Sequence, residues 1–186
     1  MSVVGDRALF VFDPEGSYGI VRQIREAGVM PTRGLRYVAS VTGPWKVFKV
    51  MAKGESEGLV DIADRLDTPG DPETAVTLRA AQIRKSTYRA YTALVRIDTS
   101  VADPTTLIDQ IAQAIGSDTQ PPEIDVVVGA FDILACVVDD DETSLGQKLL
   151  AIREIDGVKR TTSLRVIDYV SISENAPDDH RVAPAD

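Results

Sequence analysis

Val41-Thr42-Gly43-Pro44-Trp45-Lys46-Val47-Phe48 returns 86 positions later as Val127-Val128-Gly129-Ala130-Phe131-Asp132-Ile133-Leu134. The same shift carries Glu55 onto Asp141, Leu59 onto Leu145, Leu66 onto Ile152 and Leu78-Arg79 onto Leu164-Arg165. A register kept over that distance marks a duplicated unit, and both copies must fold to the same small architecture. The expected organisation is a first repeat over residues 1–87 and a second over 88–172. A tail over 173–186, with Pro177, Asp178, Asp179 and Pro184 and no periodicity, is expected to be disordered.

Periodicity gives the elements of each copy. Ala8 to Phe12 is a short β-prone run closed by Asp13-Pro14. Ile20, Val21, Ile24 and Ala27 share one helical face, and Gly28 stops that helix. Leu35–Val41 and Trp45–Met51 flank a Thr42-Gly43-Pro44 turn. Leu59, Ile62, Ala63 and Leu66 predict a second helix, broken by Asp67 to Pro72, and Ala75–Ile83 a last strand. In the second copy, Tyr91–Ile97 is a strand, and Asp103-Pro104 is a helix start. Leu107, Ile108, Ile111, Ala112 and Ile115 form the helix face that follows. Ile124–Val128 and Phe131–Val138 flank Gly129-Ala130 as a hairpin. Leu145, Leu149 and Ile152 line a helix, and Ser163–Val170 is a strand. The order β-α-β-β-α-β, read twice, predicts an α+β chain of two tandem ferredoxin-like repeats. Apolar residues at successive positions, as in Ile133 to Val138, call for cover on both sheet faces. The expectation is therefore that the repeats pack sheet to sheet as an intrachain pseudo-dimer.

Composition narrows the function. Twenty Lys+Arg against 29 Asp+Glu give a net charge of −9, the wrong sign for a surface that displaces counterions from nucleic acid. No apolar run reaches membrane-helix length, and the N-terminus carries no secretory pattern. One cysteine, Cys136, allows no intramolecular disulfide, and one histidine, His180, allows no two-histidine mechanism. No Gly-x-Ser-x-Gly, phosphate loop or metal-ligand cluster is present. The expectation is a cytoplasmic protein with no cofactor, no metal, no catalytic residue, no direct nucleic-acid partner and no membrane partner.

Gly129 and Asp132 are the principal candidates for binding. A hairpin glycine exposes backbone N–H groups, and a nearby carboxylate accepts an ammonium group, a pairing that suits an amino acid. The alternative is that Gly129 serves a turn dihedral and Asp132 caps local N–H groups. Thr161, Thr162 and Ser163 offer hydroxyls, or are simply β-compatible surface residues. At the sister positions Lys46 stands in place of the acid, which reverses the local charge, and Trp45 reads as packing. Asp139-Asp140-Asp141-Glu142 reads either as ligands for a hard cation or as an acidic helix start, the latter favoured by the helix dipole.

Residues 90–170 resemble the effector-binding (RAM) domain of the Lrp/AsnC family of regulators. The resemblance is carried in order by Ala93-Leu94-Val95-Arg96, by Val128-Gly129-Ala130-Phe131-Asp132-Ile133-Leu134-Ala135, and by Gly157-Val158-Lys159-Arg160-Thr161-Thr162. It implies a fold of the dimeric α/β-barrel class and assembly into oligomers. It also implies a small-molecule site over Gly129, Ala130, Phe131, Asp132 and Thr162. The first repeat stands where family members carry their DNA-binding helix-turn-helix, so the resemblance implies a module without one. The expected function is sensing or regulation by a small, amino-acid-like effector, with further copies of the chain as partners. Two other readings stay open: a cofactor-free enzyme of the dimeric α/β-barrel class, and a structural assembly unit.

Overall fold

The computed structural model describes residues 7–13, 20–28, 35–42, 46–52, 73–77, 91–116 and 123–171. They hold β1 (Arg7–Asp13), α1 (Ile20–Ala27), β2 (Leu35–Val41), β3 (Lys46–Ala52), β4 (Glu73–Thr77) and β5 (Tyr91–Thr99), followed by α2 (Ile108–Ile115), β6 (Glu123–Gly129), β7 (Ile133–Asp139), α3 (Glu142–Arg153) and β8 (Val158–Ser171). The fold is α+β with antiparallel strand pairing. The expected second helix at Leu59–Leu66, the Gly43 to Trp45 turn, the boundary at 87/88 and the tail with His180 lie outside the described residues.

The chain divides into two units, one of Met1–Val76 with Ile167–Asp186, the other Thr77–Val166. In the first, β1 is central, pairing with β3 through Val11↔Phe48 and with β4 through Phe10↔Ala75, while β2 pairs with β3 through Val38↔Phe48. The strand order is β4-β1-β3-β2. The apolar stripe of α1 is borne out at its centre, where Val21 and Ile24 are buried while Arg22, Gln23, Arg25 and Glu26 are exposed, but not at its end, where Ala27 is exposed. Arg25 grips the end of β8 with a forked contact to Asp168 at 2.7 and 3.3 Å and a third bond to the carbonyl of Tyr169 at 2.9 Å.

In the second unit β5 pairs with β7 through Ile97↔Ile133 and with β8 through Val95↔Ser163, and β6 pairs with β7 through Val126↔Ile133. The order is β8-β5-β7-β6. Alternate residues of β5 and β7 (Ala93, Val95, Ile97; Ile133, Ala135, Val137) form one core with Leu107, Ile111, Ile115, Leu145 and Ile152 of the helical segments. The intervening Leu94, Leu134 and Cys136 are buried too, on the other side of the pleat, as the run of successive apolar residues requires. Asp103 starts the helical segment, its carboxylate accepting from Thr105 N at 3.0 Å, with Pro104 opening a 3-10 turn ahead of α2.

Two boundaries differ from the sequence reading. β7 begins at Ile133 rather than Phe131, because Val127 N donates to Asp132 O at 2.9 Å and draws Phe131 into the hairpin tip. β8 begins at Val158 rather than Ser163, because the polar stretch Arg160, Thr161 and Thr162 completes a ladder with Asp98, Ile97 and Arg96.

Candidate functional site

The β6–β7 hairpin carries four of the five expected site residues. Its tip, Val128 to Phe131, is closed by the Val127–Asp132 bond, and Asp132 N donates to Ile97 O at 3.1 Å, tying the tip to β5. Gly129 sits at φ 144, a conformation that favours glycine, and both Gly129 and Ala130 are exposed. Phe131 folds back and is buried.

Asp132 is partly buried and turned toward the end of β5. Its Oδ2 accepts from Thr99 N at 2.7 Å and from Thr99 Oγ1 at 3.0 Å. The Asp132 side chain therefore does cap a backbone N–H, but one on the neighbouring strand 33 residues away rather than the local one weighed from sequence. Its other oxygen, Oδ1, has no bond to protein among the described residues.

Thr162, the fifth, is exposed and lies on the rung Leu134–Arg96–Thr162 across β7, β5 and β8. Cross-strand partners share a face, so Thr162 stands beside Arg96 on the side of the sheet away from α2 and α3. Thr161 and Ser163, by the alternation of the strand, belong to the opposite face.

Sequence reasoning missed Arg96 and Asp125. The Arg96 guanidinium lies over the Phe131 ring, 4.9 Å from its centroid. Asp125, buried within β6, pairs with Leu134 and so extends the same rung. The available signal was a charge inside each apolar run, Val95-Arg96-Ile97 and Ile124-Asp125-Val126, which marks a polar position on an otherwise apolar strand. Next to Arg96 on this face, Asp98 is paired with Arg160 at 2.6 Å.

The acidic run at 139–142 is built into the start of α3. Asp141 Oδ2 accepts from Ser144 N at 2.7 Å as the N-cap. Asp139 accepts from Ser144 Oγ at 2.7 Å and Asp141 N at 3.0 Å, and pairs with Lys148 at 2.8 Å. The bonds from Lys148 and then Ser144 outweigh burial and hold the Asp139 carboxyl well below the usual carboxylate range. A depressed folded pKa gives stability that is present above the unfolded pKa, near about 4, and lost as pH falls below it. Asp139→Ala is therefore expected to cost about 1–3 kcal/mol at neutral pH and to flatten the loss of stability on acidification. Urea titrations at a series of pH values check this; a variant as acid-sensitive as wild type would contradict it. Among the described residues no group of three or more His, Cys, Asp or Glu could hold a metal ion, and no helix is long and apolar enough to cross a membrane.

No family profile matches the chain, and no curated protein matches it. Among solved structures, one described as an anthrone oxidase-like protein is similar at 8% identity and a TM-score of 0.45, covering 94% of this chain and 96% of that one. Another, a major regulator of staphylococcal pathogenesis, is similar at 11% identity and a TM-score of 0.43, covering 86% of this chain and 98% of that one.

Proposed function

We propose that the chain is a small-molecule-sensing or regulatory module of the Lrp/AsnC effector-domain type, built from two ferredoxin-like repeats. The repeat reading is supported by strand order. β4-β1-β3-β2 and β8-β5-β7-β6 are the same permutation, last-first-third-second, in each unit. The ligand is amino-acid-like, and further copies of the chain are the expected partners.

One observation carries the site. Asp132 is anchored through Oδ2 to Thr99, while Oδ1 has no bond to protein among the described residues, beside the exposed Gly129-Ala130 tip. A carboxylate fixed through one oxygen is oriented in advance for an ammonium group, so less entropy is lost on binding.

A thermal-shift screen with the twenty amino acids tests this. A ligand at a hundred times its Kd stabilises by about 2.7 kcal/mol, a rise of roughly 5–11 °C for a chain of this size. Asp132→Asn keeps an oxygen acceptor for Thr99 but removes the charge, and is expected to abolish the rise while leaving the unliganded Tm within about 2–4 °C of wild type. An unchanged ligand response in this variant would remove Asp132 from the site.

A further inference from the structure

We infer that the amino-acid site exists once per chain, in the second unit alone, because the first unit has closed the equivalent position with a rung of opposite charges. The inference rests on the proposed reading of the Asp132 site and fixes how many such sites a duplicated chain carries.

The central ladders of the two units correspond rung by rung. Ala8↔Met51 of β1 and β3 answers Ala93↔Val137 of β5 and β7, Leu9↔Val50 answers Leu94↔Cys136, and Phe12↔Val47 answers Ile97↔Ile133. The next rung separates the units. In the first the ladder continues to Asp13↔Lys46, whereas in the second it stops at Ile97↔Ile133. The residues at the equivalent of that last rung are Asp98 and Asp132.

Charge accounts for the difference. Opposite charges directly across an antiparallel pair stabilise it, and like charges destabilise it. Asp13 with Lys46 meets the first condition by residue type, and the ladder includes them. Asp98 with Asp132 meets the second, and both acids find other partners. Asp98 pairs with Arg160 at 2.6 Å, and Asp132 accepts from Thr99 N at 2.7 Å and Thr99 Oγ1 at 3.0 Å. The open rung is thus what leaves a carboxylate beside the hairpin tip. In the first unit the same position holds a lysine whose ladder partner is an acid, and the ammonium group of a ligand is repelled by a cation there. One copy of the duplicated hairpin end keeps the sheet paired, and the other binds.

Calorimetric titration of the full chain, with each amino acid that gives a thermal shift, counts the sites. One molecule is expected to bind per chain, and Asp132→Asn is expected to remove all of the binding. Two molecules per chain, or half of the sites surviving in Asp132→Asn, overturns the inference while leaving Asp132-dependent sensing in place. If no amino acid binds at all, both fall. Thermal melts of Asp13→Asn, Lys46→Gln and the double variant check the charged rung without any ligand. Each single change is expected to lower the Tm by up to about 4 °C, and the double to lower it little further than either alone. Losses that simply add in the double variant would mean that the two charges do not meet, which overturns the reason for a single site. Circular dichroism shows whether the variants are folded; if they are not, the stoichiometry on wild type decides alone.

Discussion

Ile133→Ala is expected to lower the unfolding free energy by about 2–5 kcal/mol and the Tm by roughly 4–20 °C. Ile133 is fully buried at the centre of β7, paired with Ile97 on one side and Val126 on the other. It shares a core with Ile111 of α2 and Ile152 of α3, both also 0% exposed. Removing three carbons there leaves a cavity that sheet and helices cannot close without moving rigid elements against each other. Ile167 of β8 is the matched control. It is 67% exposed, and its truncation is expected to stay within about 0.5 kcal/mol. Urea unfolding with a common m value checks both. Equal effects from the two truncations would mean that the helices and sheet of the second unit do not share this core.

Gly157→Ala is expected to cost about 2–4 kcal/mol, from backbone strain and overpacking together. Gly157 sits at φ +94, and a Cβ added there would come within 2.9 Å of Val101 Cγ1 and 3.4 Å of Leu107 Cδ2. Its carbonyl also accepts from Ser100 N at 2.9 Å and Ser100 Oγ at 3.3 Å. A shift at Gly157 therefore moves the end of β5, next to the Thr99 that Asp132 holds. The same variant is expected to weaken the thermal response to amino acids. Gly146, inside α3 with no heavy atom within 4 Å of an added Cβ, provides the contrast. Gly146→Ala is expected to stabilise by about 0.5–1 kcal/mol. Thermal and chemical melts of the two variants should move in opposite directions; a neutral Gly157→Ala would contradict the packing at the start of β8.

Local pattern made most of the elements readable and left their long-range partners unreadable. The helix at Ile20–Ala27 and the burial of Leu145 and Ile152 follow from spacing alone, since which side chains a helix face collects is a property of the nearby chain. The early start of β8 was hidden because Lys159-Arg160-Thr161-Thr162-Ser163 shows no apolar alternation. It is a strand because β5 pairs with it, and that lies some sixty residues away in the chain. The candidate site divides in the same way. Gly129 announces a turn by its type, and Asp132 announces a charge. That Asp132 bonds Thr99, 33 residues away, is decided by the register of β5 against β7. Arg96 is visible as a charge in an apolar run, but its stacking on Phe131 exists only once the hairpin tip has folded back.

The fork from Arg25 to Asp168 joins positions 143 residues apart, and the first unit takes its last segment, Ile167–Asp186, from beyond the whole of the second. During synthesis this fork cannot form until residue 168 has been made, whereas the strands β1 to β4 are all present by residue 77. Thr77–Val166 is contiguous and can close as soon as it emerges. The clamp on α1 is thus among the last contacts that synthesis makes available.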